Sequence, residues 1–164
     1  MESSTPTGEV GAEFDEYLFY LLTQVANRRA KDFSPALDAL GISLAEWRTL
    51  SVINRLEGCQ MSELSEFTTV DRTTLTRTVD RLVAADLAHR STALNDRRQV
   101  VITLTAHGRS VFEQAVETLK SYNVDVLAGL SEDDLRLLRG LLQRILMNIV
   151  REPDHFQQVL HFKR

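Results

Sequence analysis

Threonine and arginine side chains are concentrated between residues 71 and 85 of the sequence. The apolar residues Leu75, Val79 and Leu82 recur there at steps of four and three, which places them on one face of a predicted helix. The remaining surface of this helix carries hydroxyl and guanidinium groups, from Arg72, Thr73, Thr74, Thr76, Arg77 and Arg81. Arginine can donate two hydrogen bonds to guanine in the major groove of DNA, and threonine can bond a base or contact a thymine methyl group. The pattern therefore predicts a helix that contacts DNA bases.

An ordinary solvated helix is the alternative interpretation, because any exposed helix can carry arginine and threonine. Threonine, however, is a mediocre helix former, and it occupies four of the six positions from Thr73 to Thr78. Helix propensity alone does not account for that concentration.

A basic hairpin is predicted directly after this helix. Residues 87–92 and 99–104 are two short β-prone runs around a polar loop, and the loop contains Asp96, Arg97 and Arg98. Arginines at such a tip can enter a neighbouring minor groove, where A·T-rich sequence concentrates negative potential, and Asp96 would orient Arg98. The alternative is that these residues are solvated loop charges.

The net charge of the whole chain conceals this basic region. The 164 residues carry a formal net charge of −4, but residues 71–98 contain six arginines against four aspartates. Exposed charges more than about 10 Å apart are largely screened in physiological salt. A local basic face is therefore sufficient to attract a polyanion.

The composition excludes several other classes of protein. Hydrophobic residues make up 43% of the sequence and charged residues 26%, as in a globular domain, and no apolar run approaches the roughly 20 residues that span a bilayer. The single cysteine, Cys59, rules out an intrachain disulfide and fits a reducing cytoplasm. The sequence contains no glycine-rich phosphate loop, no zinc signature and no nucleophile with a nearby base, so we predict no enzyme activity, cofactor or metal.

Capping residues and apolar periodicity predict the elements around this region. The sequence predicts a long helix over residues 14–33, a short one over residues 35–41, and further helices capped by Ser43, Ser62, Asp71, Thr105 and Ser131. The last helix repeats leucine and isoleucine at steps of three and four, as in a coiled-coil seam. The first and last helices have no other core, so we expect them to pack on each other and on a second copy of the chain.

Three stretches of the sequence resemble the MarR family, the multiple antibiotic resistance regulators. The run D-R-R at residues 96–98, followed by a strand and by L-T-x-x-G at residues 104–108, is similar to the wing signature of that family. Residues 79–90 resemble the end of the family's recognition helix, although Asp86 stands where glycine is usual. Residues 40–47 resemble the start of its third helix. The order of elements agrees over nearly the whole chain.

The resemblance implies a mostly α-helical fold with a small β-hairpin, the wing. In this family a winged helix-turn-helix lobe is flanked by N- and C-terminal dimerisation helices, and the homodimer binds an inverted repeat with half-sites about one helical turn apart. On this pattern residues 1–13, which lack the features of a secretory signal, are a disordered lead-in, and residues 14–40 form N-terminal dimerisation helices. Residues 41–105 form the DNA-binding domain, and residues 106–164 form the C-terminal dimerisation helices and tail.

The resemblance also assigns DNA contacts to particular residues of the predicted helix. Thr73, Thr74 and Arg77 are the candidates for contacts with bases, and Arg72 and Arg81 are the candidates for contacts with phosphates. All five lie on the predicted recognition helix.

In the wing, the resemblance implies that Arg98 enters the minor groove, oriented by Asp96 and assisted by Arg97. A winged helix that binds another protein and does not contact DNA is the alternative function. Such a module would not need a basic recognition face.

Many members of the family are repressors that are released from DNA by small phenolic or other aromatic compounds. These ligands bind in a cleft between the dimer helices and the lobe, and Tyr17, Tyr20, Trp47 and Arg48 could line such a cleft. The alternative, which these residue types favour, is that the aromatic residues belong to the core and that Arg48 is solvated. The implied function is thus a ligand-responsive repressor whose partners are double-stranded DNA, a second copy of the chain and an aromatic effector.

Overall fold

The computed structural model describes residues 12–68, 70–92 and 99–150. Within these ranges the chain forms six helices and one two-stranded antiparallel sheet, which confirms the predicted mostly helical fold with a β-hairpin. In chain order they are α1 (Ala12–Ala39), α2 (Leu44–Leu56), α3 (Met61–Thr68), α4 (Arg72–Ala84), β1 (Ala88–Thr92), β2 (Val100–Leu104), α5 (Ala106–Val126) and α6 (Glu132–Ile149). Within the described ranges, no helix has the length and apolar character of a membrane span.

Helix α1 continues through Pro35, so the prediction of two separate helices before Gly41 is wrong. Proline removes one backbone hydrogen bond from a helix and normally interrupts it. Here Phe33 and Leu37, on either side of the proline, are almost fully buried in the core. Their packing outweighs the lost bond and keeps the helix continuous. The helix also begins at Ala12, so the last two residues of the predicted disordered lead-in are helical.

The start of α3 differs from the prediction by two residues. Ser62 was expected to cap it, but the helix begins at Met61 and the Glu63 carboxylate accepts the backbone N–H of Gln60 at 2.7 Å. The helix after the wing, which its apolar pattern predicts to run to about residue 130, ends at Val126. The other predicted caps are confirmed: Ser43, Asp71, Thr105 and Ser131.

A closed hydrophobic core joins α2, α3, α4 and the two strands, which together we call the lobe. Leu50, Leu64, Leu75 and Ile102 are fully buried in this core. The C-terminal part of α1 and the N-terminal half of α5 pack against it. The lobe therefore has an apolar interior of its own, on which α4 is held by its buried face.

Cys59 lies inside the lobe and extends the hairpin by one bridge. Its backbone N–H donates to the Ile102 carbonyl at 3.0 Å, and the Ile102 N–H donates to the Cys59 carbonyl at 2.8 Å. Burial, and secondarily the charge of Glu63, raises the pKa of the Cys59 thiol to about 12. A buried thiol that stays protonated at neutral pH is a poor nucleophile, so this cysteine is structural.

A second region of the protein has the opposite character. Residues 16–25 of α1, residues 124–130 and helix α6, which together we call the stem, carry nearly all the exposed large apolar side chains of the described chain. Helix α6 has no buried residue within the described ranges, although leucine and isoleucine recur along its length. The stem therefore presents apolar surface that this single chain does not cover.

Candidate nucleic-acid interface

Helix α4 begins at Arg72 because Asp71 caps it. The Asp71 carboxylate accepts the backbone N–H groups of Thr73 at 3.1 Å and Thr74 at 2.9 Å. Hydrogen bonds with Thr74, and then that with Thr73, hold the pKa of Asp71 below its usual value. The carboxylate therefore remains ionised beside the positive end of the helix, where it stabilises the first turn.

The inward face of α4 follows the predicted pattern, with one addition. Leu75, Val79 and Leu82 are fully buried, as predicted, and Thr78 is buried beside them. The Thr78 hydroxyl donates to the Thr74 carbonyl at 2.9 Å, which satisfies it within the helix. One of the four threonines that suggested DNA contact is thus a core residue.

The outward face of α4 forms an open groove of about 330 Å³. Arg72, Thr73, Thr76 and Arg77 line it, so three of the five predicted contacts on this helix come together there. Thr74 and Arg81 are exposed on the flanks of the same helix.

Thr76 is a groove residue that was absent from the predicted DNA contacts. It lies three residues after Thr73 and one before Arg77, so helical spacing alone could have identified it. Its hydroxyl donates to the Arg72 carbonyl at 2.9 Å, which leaves the oxygen able to accept a further bond.

The arginines of this surface are not neutralised within the part of the chain that the structure describes. No ion pair there involves Arg72, Arg77 or Arg81. Their guanidinium groups are therefore available to an anionic ligand. Exposed arginines of this kind suit both phosphate oxygens and guanine edges.

A different arginine is paired, and sequence reasoning counted it only as a charge. Arg90 of β1 donates from Nη2 to Oδ1 of Asp80 on α4 at 2.6 Å, with 36% and 56% of the two side chains exposed. Residues ten positions apart meet here because the hairpin folds back against α4. This pair joins the wing to the helix directly.

The strands of the wing pair in one antiparallel register, from Ala88 opposite Leu104 to Thr92 opposite Val100. The predicted wing contacts Asp96, Arg97 and Arg98 lie outside the described residues.

The end of α4 turns sharply at Asp86, which has a left-handed backbone with φ of 56°. The Leu87 N–H donates to the Leu82 carbonyl at 2.8 Å, and the Asp86 N–H donates to the Val83 carbonyl at 3.1 Å. This bond pair is the Schellman ending, for which glycine is the usual residue at the left-handed position. The departure from the family pattern at Asp86 therefore falls at a position where a side chain causes strain.

Thr105 and Gly108 hold the start of α5 against this turn, through a hydrogen bond and a close backbone contact. The Thr105 hydroxyl donates to the Asp86 carbonyl at 2.5 Å and accepts the Gly108 N–H at 2.9 Å. A Cβ atom at Gly108 would lie 1.8 Å from the carbonyl oxygen of Leu87. The L-T-x-x-G pattern thus fixes the position of β1 relative to α4, and with it the direction of the wing.

The four residues proposed to line a ligand cleft form two separate groups in this chain. Tyr17 and Tyr20 stack on each other on the exposed part of α1, with ring centroids 6.2 Å apart. Trp47 instead stacks on Phe112 at 5.2 Å and meets the edge of Phe33 at 6.1 Å.

Phe33 lies on α1 well beyond both tyrosines, and thirteen helical residues correspond to about 20 Å. Trp47 therefore packs against the core, as the alternative interpretation proposed, while Arg48 is exposed. A cleft lined by all four side chains is not formed within one chain.

Among the described residues, no group of three or more histidine, cysteine, aspartate or glutamate side chains could hold a metal.

Comparison with known proteins connects this geometry to one family. A profile of the MarR family matches residues 40–99. The chain is 28% identical over 146 residues to the transcriptional activatory protein BadR of Rhodopseudomonas palustris, an alignment that covers 87% of this chain and 83% of BadR.

Two solved structures extend the likeness beyond the lobe. A MarR family transcriptional regulator from Silicibacter pomeroyi superimposes with a TM-score of 0.79 at 25% identity, over 91% of this chain and 99% of that one. A cysteine-to-serine mutant of MarR from E. coli, complexed with operator DNA, gives a TM-score of 0.69 at 26% identity, over 87% of this chain and 99% of that one.

Proposed function

Since the chain belongs to the MarR family of transcriptional regulators, we propose that it binds an inverted-repeat operator as a homodimer, through α4 and the wing of each copy. The family resemblance of its sequence is confirmed, and proteins of this family are regulators of transcription and not enzymes. The observation that carries the proposal is the open groove on α4, lined by Arg72, Thr73, Thr76 and Arg77.

In this proposal, α4 enters the major groove with its N-terminal half. Arg77 donates to guanine, and Thr73, Thr74 and Thr76 contact neighbouring bases. The solved complex of the E. coli MarR mutant with operator DNA supports a DNA-binding role for this fold.

Contacts with the DNA backbone position the helix. Arg72 and Arg81, exposed and without carboxylate partners in the described ranges, bind phosphates. In the wing, Arg98 enters the minor groove, oriented by Asp96 and assisted by Arg97.

The homodimer rests on the apolar surface of the stem. We propose that residues 14–40 and 106–164 provide dimerisation and that residues 41–105 provide DNA binding. The exposed side chains of Tyr17, Leu137 and Leu138 exemplify a surface that two copies could bury together. Light scattering on the purified protein should give the mass of two chains, and a monomer at micromolar concentration would refute this part of the proposal.

Selection of bound duplexes from random-sequence DNA tests the function directly. We expect an inverted repeat with half-site centres about ten base pairs apart. Four phosphate contacts per dimer predict that log affinity falls against log salt with a slope of about −3.6 or steeper. Failure to enrich any sequence, together with a flat salt dependence, would favour the alternative function of a protein-interaction module.

Two arginine variants assign the contacts. Arg77→Ala should cost roughly 1–3 kcal/mol on the selected duplex and relax the preference at one base pair. An equal loss on random DNA would instead make Arg77 a phosphate contact. Arg98→Ala should weaken binding without changing the thermal unfolding of the dimer.

We also propose that the protein represses transcription and is released by a small aromatic ligand, as the family resemblance implies. The half-buried Trp47 and its neighbour Phe112, with Arg48 exposed nearby in sequence, offer stacking and an anion contact at one end of such a site. Titration of the protein–DNA complex with a panel of aromatic acids tests release. A reporter driven by the selected operator should be more active without the protein than with it. Lower reporter activity without the protein would instead indicate an activator, like the transcriptional activatory protein BadR.

A further inference from the structure

Asp80 lies on the same stripe of α4 as the proposed base contacts. Thr73, Thr76, Arg77 and Asp80, which we call the recognition stripe, follow one another at spacings of three, one and three residues, so they share one helix face. Under the proposed function this stripe faces DNA. A bare carboxylate there would repel phosphates and compete with them for arginine.

Arg77 is the cation that Asp80 would otherwise capture. Side chains three residues apart on a helix are neighbours, with about 5–6 Å between their Cβ atoms, whereas adjacent residues such as Arg81 do not face each other. No other carboxylate lies on the recognition stripe. An unpaired Asp80 could therefore hold the guanidinium group that the proposal assigns to guanine.

Arg90 of β1 prevents the capture of Arg77, because it binds Asp80 from the hairpin. It is directly opposite the buried Ile102 in the hairpin, and opposed residues of an antiparallel pair point to the same face of the sheet. That face is packed against α4, so the Arg90 side chain reaches Asp80 and bonds it at 2.6 Å.

We propose that Arg90 is a positioning residue for DNA recognition, which binds and neutralises Asp80 and so leaves Arg77 available to DNA. This inference rests on the proposed function of α4. It gives the ion pair a role beyond stability, because a half-exposed pair of this kind contributes little to folding.

The test is a set of variants measured on a fluorescent duplex that wild-type protein has selected from random-sequence DNA. Arg90→Ala should weaken binding about tenfold, since a strong base contact is withdrawn. Asp80→Asn should bind as wild type or more tightly, and the double variant Arg90→Ala/Asp80→Asn should return to within about twofold of wild type. Arg90→Lys, which keeps the charge, should retain most of the affinity.

A second pair of variants separates capture of Arg77 from a simple change in net charge. In an Arg77→Ala background, Arg90→Ala should weaken binding by less than about twofold, because the guanidinium group that an unpaired Asp80 would capture is already absent. Lys120→Ala, which breaks an exposed ion pair with Glu117 on α5, should leave binding unchanged. Thermal unfolding of each variant shows whether the fold is retained.

The outcomes are distinct. If wild-type protein enriches no sequence, the proposed function and this inference both fail. If wild type binds but the double variant stays as weak as Arg90→Ala, Arg90 contacts DNA itself and the positioning role is overturned. If Asp80→Asn alone loses affinity, Asp80 contacts a base and the inference is equally wrong.

Discussion

The lobe and the stem place the same residue types in opposite environments. In the lobe Leu50, Leu75 and Ile102 have no exposed surface, whereas in the stem Leu137 is 64% and Val124 is 71% exposed. Burying a leucine side chain is worth about 1.5–3 kcal/mol, so the lobe gains stability within one chain and the stem does not. The lobe therefore encloses an apolar core within one chain, whereas the stem leaves apolar surface that the proposed second copy would cover.

The polar contacts differ in the same way. Hydrogen bonds of the lobe link separate elements: Arg90 links β1 to α4, and Thr105 links the turn after α4 to the start of α5. In α6 of the stem, the ion pair of Arg136 with Asp133 joins residues of the same helix. Contacts between elements fix orientation, which the proposed DNA recognition by α4 and the wing would require.

Gly108→Ala should have the largest effect, because Gly108 at the start of α5 packs directly against the backbone of the turn after α4. The added Cβ would overlap the Leu87 carbonyl oxygen, and backbone at that position cannot easily move. We expect a loss of about 4 kcal/mol in the free energy of unfolding, measured by urea denaturation.

Gly140→Ala is the matched control in the stem. A Cβ atom there meets nothing within 4 Å in the described chain, and alanine is favoured over glycine in a helix by about 1 kcal/mol. A stabilised dimer is therefore expected. Dissociation of the dimer by this substitution would place Gly140 in close contact with the second copy and sharpen the location of the interface.

Leu138→Ala should weaken the dimer and spare the lobe. The side chain is 43% exposed in one chain, and its burial in both copies should contribute about 2–3 kcal/mol to association. Sedimentation equilibrium should show a dissociation constant about 30–150 times higher. An unchanged dimer mass together with a less stable lobe would contradict the division between stem and lobe.

The sequence predicted what depends on local periodicity and missed what depends on contacts between elements. The buried face of α4 and the caps Ser43 and Thr105 follow from spacing within one helix. The Asp80–Arg90 pair depends on how the hairpin packs against α4, which spacing does not specify.

Two misses show the same limit within a helix. Pro35 was expected to begin a separate short helix on local grounds, but the burial of its neighbours keeps one helix continuous through it. Thr78 was counted with the exposed threonines because its burial depends on the partners of α4 and not on its own type.

Asp86→Gly should have a smaller and stabilising effect, confined to the lobe. Glycine adopts the left-handed backbone at this position without the steric cost that a Cβ atom brings. The free energy of unfolding should rise by about 0.5–1 kcal/mol, while the mass of the dimer stays unchanged. A loss of stability would show that the Asp86 side chain makes a compensating contact.

The smallest expected effect is the loss of stability in acid at two helix caps, one in the lobe and one in the stem. Asp71 caps α4 in the lobe and Asp134 completes the capping box of α6 in the stem, and hydrogen bonds lower the pKa of both carboxylates. A carboxylate with a lowered pKa in the folded state adds stability above its unfolded value of 3.8, and this stability is lost as the pH falls through the folded pKa. Asparagine caps a helix without ionising.

Asp71→Asn should therefore remove part of the acid sensitivity of the lobe. The melting temperature of wild type relative to this variant should decline as the pH falls below 3.8 and through the lowered folded-state pKa, because only wild type loses a charged cap there. Asp125→Asn, at an exposed position on α5, serves as the control. Asp134→Asn should produce the same pattern in the dissociation of the dimer and not in the melting of the lobe, if α6 belongs to a separate, partner-dependent surface. Identical shifts in both measurements for both variants would mean that lobe and stem unfold as one unit. The two regions would then differ in how far their apolar residues are buried, but they would not unfold separately.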